Sequence, residues 1–225
     1  MRLETVRILE VKQSVFANND AQADKLRQEL KEKGIYLLNL MSSPGSGKTT
    51  TLTRLIAALQ DDLKIGVMEA DIDSDVDAKT IAATGAKAIQ LHTGGMCHLD
   101  AAMTRQGLEG LDSNAADLVI LENVGNFVCP AEFATGAVAN MAILSVPEGH
   151  DKPLKYPLMF QVCDTVLINK IDVAPYFDFD FDKCREYIHM RNPKAKIFLI
   201  SAKTGEGVEA VAAFLKEEVA KWKGV

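Results

Sequence analysis

Two short stretches of this sequence have the residue types and spacing to hold a nucleoside triphosphate. In Ser42-Ser43-Pro44-Gly45-Ser46-Gly47-Lys48-Thr49-Thr50, glycines stand where backbone amides must approach anionic oxygens. The apolar-periodic segment that follows puts a helix amino terminus behind them. Lys48 is placed to reach the β- and γ-phosphates, and the Thr49 hydroxyl to bind Mg²⁺; Gly45, Ser46, Gly47 and Thr50 complete the cradle. Ser42 occupies the place of the pattern's first glycine, a mild misfit if a tight turn is needed there. In Asn169-Lys170-Ile171-Asp172, the Asp172 carboxylate accepts from both the ring N–H and the exocyclic amine of guanine, donors that adenine does not offer in that arrangement. A site built on such buried bonds rejects an analogue lacking them by roughly 10⁴, so these residues select GTP over ATP. Ser201-Ala202-Lys203 follows the last strand-like run, where a backbone amide can donate to the guanine carbonyl oxygen.

Acidic and soft ligands form two further groups. Leu118-Val119-Ile120-Leu121-Glu122 runs into Asn123-Val124-Gly125; Glu122 can order a metal-bound water, and the Gly125 amide can meet a γ-phosphate. Small GTPases usually have Asp at the position of Glu122. The loop Asp71-Ile72-Asp73-Ser74-Asp75-Val76-Asp77 reads as a first switch, because several carboxylates near phosphates require a cation. Asp75 is assigned to Mg²⁺ and Asp71 to the attacking water; a solvated turn is the alternative. Cys97 and His98 are adjacent in a glycine-marked loop, and Cys129 lies in Asn126-Phe127-Val128-Cys129-Pro130. Sulfur and imidazole donors suit Zn²⁺ or Ni²⁺ far better than Mg²⁺, although a buried thiol and a satisfied histidine are the commoner meaning of such a pair. Both segments leave strand ends on the phosphate side, and three ligands leave a tetrahedral site that a two-fold dimer would complete. Cys163 and Cys184 fall in apolar patterns and are expected in the core. His92, near the Cys97 loop, and His150 could also ligate, but surface or capping roles are the preferred reading, and His189 is assigned a place on a helix surface.

Apolar runs at 36–41, 64–70, 88–91, 118–122, 141–146, 165–169 and 197–200 alternate with helical patterns. That alternation predicts an α/β fold with a mostly parallel sheet of about seven strands and helices on both faces, ligands gathering at the carboxyl ends of the strands. A helix from Ser14 to Lys33, stopped by Gly34, precedes the first of these strands as an addition to the core fold, and a closing helix runs from Glu206 to Trp222. Asp178 to Asp182 is expected as a loop before a helix at Lys183 to Met190.

The 225 residues, 48% of them hydrophobic, suit a single domain spanning 1–225. A net charge of −6 disfavours nucleic acid and anionic membrane surfaces as partners. There is no apolar run of the ~18 residues needed for a span, and the charged start Met1-Arg2-Leu3-Glu4 lacks a signal-peptide core. These features, with four scattered cysteines, point to the cytoplasm.

Together the motifs resemble the HypB family of hydrogenase nickel-incorporation GTPases, maturation factors of the deviant P-loop class. The resemblance covers nearly the whole chain: the phosphate loop, the Asp-rich loop after Glu69, Cys97-His98-Leu99, Glu122 to Asn126, Val128-Cys129-Pro130, Asp151 to Pro157 and Asn169 to Asp172. It implies hydrolysis of GTP, dimerisation through nucleotide, and delivery of nickel to a hydrogenase large-subunit precursor with the nickel chaperone HypA as partner. It also implies Zn²⁺ or Ni²⁺ on Cys97, His98 and Cys129 at the dimer interface. The chain lacks the amino-terminal Cys-x-x-Cys-Gly-Cys motif and the His-rich tract of some relatives, which argues against nickel storage. Lys152 and Lys155 are candidates to bring positive charge across the dimer. A urease- or cobalamin-enzyme maturation GTPase, or a nucleotide-gated metal-binding scaffold, remain the alternatives; the pairing of Cys97-His98 with Cys129 separates the first from the HypB pattern.

Overall fold

The computed structural model describes residues 7–10, 18–71 and 76–224. Eight strands form one parallel sheet in the order β1-β4-β3-β5-β2-β6-β7-β8. These are β1 Arg7–Glu10, β2 Tyr36–Ser42, β3 Ile65–Asp71, β4 Lys87–His92, β5 Leu118–Glu122, β6 Ala139–Ser145, β7 Thr165–Asn169 and β8 Lys196–Leu199. Seven match the expected strands. The eighth, β1, pairs along β4 from Arg7↔Ile89 to Glu10↔His92; four residues with charged ends are too short to show a strand pattern.

Nine α-helices are described: α1 Asn19–Lys33, α2 Lys48–Leu59, α3 Val76–Ala82, α4 Ala101–Gly110, α5 Cys129–Glu132, α6 Lys152–Lys155, α7 Pro157–Val162, α8 Phe181–Arg191 and α9 Val208–Lys223. The added amino-terminal helix is thus described from Asn19, and 14–17 lie outside the described residues. It stops as expected at Gly34, whose left-handed backbone returns its N–H to the Leu30 and Lys31 carbonyls. Helix α8 begins two residues before its expected start, because the Asp180 carboxylate accepts from the Asp182 and Lys183 amides and caps it.

Alternation along β2 explains the layering. Tyr36, Leu38 and Leu40 face α2 and α9, packing with Leu52, Leu55, Val211 and Leu215, whereas Leu37 faces Leu26 and Leu30 of α1 and Met103 of α4. Farther along that second face, Met41 and Ile168 pack with Phe160 of α7 and Ile188 of α8. Cys163 and Cys184 are fully buried in this last cluster, as expected. Burial pushes the Cys184 thiol up to about 12 and that of Cys163 higher still, so both stay protonated. Because every strand pair is parallel, all carboxyl ends share one rim. The loops bearing the motifs leave from that rim.

Candidate nucleotide and metal site

Strand β2 delivers the phosphate loop. Ser42 is the last residue of β2 and fully buried. The loop's left-handed positions fall instead at Gly45 (φ 75°) and Gly47 (φ 97°), so no glycine is needed at 42 and the apparent misfit disappears. Gly47 precedes α2, which has no capping side chain and no acid in its first turn. The first amides of α2 therefore keep their positive potential for an anion.

Two hydrogen bonds, one buried and one exposed, tie this loop to the guanine motif. Asn169, 1% exposed, donates through Nδ2 to the Ser46 carbonyl (2.9 Å) and accepts at Oδ1 from the Ala202 amide (3.0 Å). A Cβ on Gly47 would stand 2.6 Å from Asn169 Nδ2, so glycine is required there by contact as well as by φ. Lys170, left-handed at φ 63°, donates to the Gly45 carbonyl at 2.6 Å. Asp172 accepts from the Ser201 hydroxyl at 2.7 Å, which fixes its carboxylate. The two expected base-reading segments, Asn169 to Asp172 and Ser201 to Lys203, thus hold each other before any ligand is considered.

Several residues that the sequence did not single out complete this frame. Arg54 on α2 donates to the Ala202 and Lys203 carbonyls, each at 3.1 Å. Glu148 accepts from the Ser145 amide and hydroxyl, both at 2.7 Å, and from the hydroxyl of Ser43 in the phosphate loop. An amide chain runs from the residue after β5 across β2 to β6: Asn123 donates to Asn39 (3.0 Å) and Asn39 to Asn140 (2.9 Å). Asn123 Oδ1 also holds the Val124 amide at 2.9 Å.

Glu122, 1% exposed at the end of β5, stands in register with Leu40 of β2 on one side and Glu69 of β3 on the other. Gly125 lies against the phosphate loop: a Cβ there would meet Lys48 Nζ at 3.3 Å and Pro44 at 3.4 Å. Asp71 ends β3, while Asp73 and Asp75 lie outside the described residues.

The soft ligands approach each other. A hydrogen bond to Cys129 and then burial push the Cys97 thiol above its ordinary range. His98 Nδ1 is 4.0 Å from Cys97 Sγ. His98 is 7% exposed, and burial pulls it below the ordinary imidazole range, toward the neutral form that ligates metals. Its ring stacks on Phe133 at 3.6 Å and 9°. Asn126 donates to Cys129 Sγ at 3.4 Å and accepts from the Val128 amide at 2.7 Å. Among the described residues no three His, Cys, Asp or Glu side chains converge on one point. One chain brings the expected ligands together without closing a site around them.

Other expected residues have local partners. Lys155 pairs with Asp151 at 2.6 Å and Lys152 lies 5.4 Å over the Tyr156 ring. His150 accepts from the Asp180 amide at 3.3 Å, and His92 is half-buried opposite Asp71. His189 does more than face solvent, since its Nε2 donates to the Ala195 carbonyl at 3.2 Å. A groove of about 490 Å³ between Leu63, Gly66, Gly85 and Leu111 opens at the opposite rim, at the amino ends of β3 and β4, and contains none of the motif residues.

A glycine loop between a buried strand and an apolar helix, docked onto an Asn-Lys-x-Asp turn, defines a P-loop nucleotide-binding domain of the GTPase type. The family model for the CobW/HypB/UreG nucleotide-binding domain matches residues 36–199, and the chain belongs to that family. The hydrogenase maturation factor HypB of Rhizobium leguminosarum bv. viciae is 44% identical over 215 residues, 96% of this chain and 72% of the relative. HypB of Escherichia coli K12 is 45% identical over 203 residues, 90% of this chain and 70% of the relative. The crystal structure of Helicobacter pylori HypB in complex with nickel superposes with a TM-score of 0.86 at 40% identity, covering 91% of this chain and 96% of that one. HypB of Archaeoglobus fulgidus gives 0.84 at 37%, covering 91% and 100%. No helix among the described residues is long and apolar enough to cross a membrane.

Proposed function

We propose that this protein is a GTP-hydrolysing metallochaperone that couples nucleotide state to nickel delivery in hydrogenase maturation. The observation that carries the proposal is the course of one loop. Gly125 abuts Lys48, and four residues later Cys129 meets Cys97. A loop drawn toward a γ-phosphate at Gly125 must move a thiolate ligand, which ties metal affinity to nucleotide. Similarity to hydrogenase maturation factors, one of them crystallised with nickel, supports the cargo and its destination, a hydrogenase large-subunit precursor served together with the chaperone HypA.

Guanine is read by Asp172, oriented by Ser201. The Ala202 amide is taken by Asn169, which assigns the amide of exposed Lys203 to the guanine carbonyl. Lys48 and the first amides of α2 hold the phosphates. The oxygen donors Thr49, in the first turn of α2, and Glu122, at the end of β5, fit Mg²⁺, which would neutralise charge on the β- and γ-phosphates when bound. Asp75 joins them from the acidic loop, and Asp71 orients the attacking water. Cys97, His98 and Cys129 take Ni²⁺ or Zn²⁺, and two copies of the chain, joined when GTP is bound, complete the coordination.

The test is metal affinity and oligomeric state measured with GDP and with a slowly hydrolysed GTP analogue, beside turnover of GTP and ATP. The proposal expects a dimer and altered Ni²⁺ affinity with the analogue, and hydrolysis confined to GTP. A monomer in both states, with metal binding indifferent to nucleotide, refutes the coupling. Equal use of ATP refutes the role of Asp172.

A further inference from the structure

The two arms that carry the soft ligands meet at three levels. At the tip are the Cys97 and Cys129 thiols. In the middle the His98 ring stacks on Phe133. At the base one side chain spans both arms: Asn19, the first residue of α1 and only 7% exposed. Its Oδ1 accepts from the Ala101 amide at 3.0 Å, and its Nδ2 donates to the Ala134 carbonyl at 2.9 Å. Ala101 opens α4 directly after the Cys97-His98-Leu99-Asp100 loop. Its N–H is one of the helix-terminal donors that have no partner within their own helix. Ala134 follows Phe133 at the end of the short turn that begins with Cys129. Both groups that Asn19 holds are main-chain, so the contact fixes backbone positions rather than a movable side chain.

We propose that Asn19 is a positioning residue of the metal site: it sets the separation of the Cys97-His98 arm and the Cys129 arm, and makes α1 part of the site instead of a cover for the sheet. The inference rests on the metal-binding reading above. An amide is suited to the task, because the carbonyl it meets needs a donor and the amide N–H an acceptor, and Asn supplies both from one planar group. Releasing the bridge lets the arms separate at their base, which tilts the His98 ring and parts the thiols without removing a ligand. Partners that orient ligands in this indirect way are worth about 10- to 100-fold in metal affinity.

The test is competition between the full chain and a chromophoric chelator, for Ni²⁺ and for Zn²⁺, with GDP affinity measured on the same samples. Asn19→Ala is expected to bind both metals about 10- to 100-fold more weakly, with GDP affinity within about twofold of the parent. Asn19→Asp keeps an acceptor for Ala101 but sets a carboxylate oxygen against the Ala134 carbonyl, turning that contact into a repulsion, so it should weaken binding of both metals at least as much; it decides the matter if Asn19→Ala does not fold. Arg27→Ala removes another α1 contact, Arg27 Nε to the Ala137 carbonyl at 2.9 Å, which bridges no arms. It is expected to leave metal affinity unchanged. The inference is overturned if Cys129→Ser loses metal while Asn19→Ala and Asn19→Asp retain it. It is equally overturned if Arg27→Ala weakens binding as much as Asn19→Ala, since that would mark general loosening of α1. If Cys129→Ser and His98→Ala bind as tightly as the parent, the metal-site reading itself falls, and the role of Asn19 with it.

Discussion

Replacing Asp172 by Asn should exchange the base preference of the nucleotide site. In the parent, the Ser201 hydroxyl donates to Asp172 Oδ1 at 2.7 Å, which on the proposed reading orients the carboxylate to accept from the ring N–H and exocyclic amine of guanine. In Asp172→Asn the Ser201 hydroxyl still requires an acceptor, so it selects the rotamer with the amide oxygen toward Ser201. The amide NH₂ then projects toward the base. One charge-assisted bond of about 1.5–3 kcal/mol is lost, and a second donor now confronts the guanine amine. The combined loss is about 3–4 kcal/mol, or roughly 10²- to 10³-fold in Kd. Xanthine presents a C2 carbonyl where guanine has the amine, so it should gain over a similar range. Titration of the variant with GDP, XDP and ADP, monitored by displacement of a fluorescent nucleotide, measures both changes. Retention of GDP within about threefold, with no gain for XDP, would falsify the assignment of Asp172 and the orienting role of Ser201.

Gly47→Ala should lose about 3 kcal/mol in urea unfolding. A left-handed residue other than glycine costs about 1 kcal/mol, and a Cβ 2.6 Å from Asn169 Nδ2 breaks two buried bonds of about 1 kcal/mol each; an unchanged midpoint would contradict the contact. Gly125→Val should narrow the affinity difference between a GTP analogue and GDP by about tenfold, about 1.4 kcal/mol, because its side chain enters the space beside Lys48 Nζ; parallel titrations report it. Asp117 governs an acid-sensitive part of the stability. Although burial opposes it, the Lys223 ammonium and Lys64 amide outweigh that effect and hold its carboxyl below the ordinary 3.8. With the folded value below the unfolded one, its contribution is complete above pH ~4 and disappears as pH falls through the folded value. Asp117→Asn should therefore cost about 1–2 kcal/mol at pH 7, a cost that shrinks as pH falls below the ordinary carboxylate value. A gap that does not narrow with acid would rule out charge as its source.

The parts of the site that were legible in the sequence are those whose chemistry lies in consecutive residues. Gly45 to Thr49 and Asn169 to Asp172 are each a short stretch whose residue types follow one another in the chain, so the pattern can be read without knowing the fold. The sheet was legible because buried parallel strands are written as apolar runs. The frame of the site was not. Asn19 meets Ala101 and Ala134, Arg54 meets Ala202, and Asn39 meets Asn123 and Asn140, pairings set by strand order and not by spacing. Asn39 sits in an apolar strand where it reads as an interruption, until β5 and β6 flank it with partners. Strand β1 escaped notice because its pairing with β4 depends on the edge of a sheet assembled far along the chain.

The amide chain through Asn123, Asn39 and Asn140 has a mechanical consequence. It pins three adjacent strands against slipping, and by holding the Val124 amide it fixes the fulcrum of the loop beyond. From Val124 to Cys129 the chain reaches at most about 18 Å at 3.3–3.6 Å per residue, with Gly125 at the near end and the thiol at the far end. A small push at the short arm of such a lever becomes a larger sweep at the long arm.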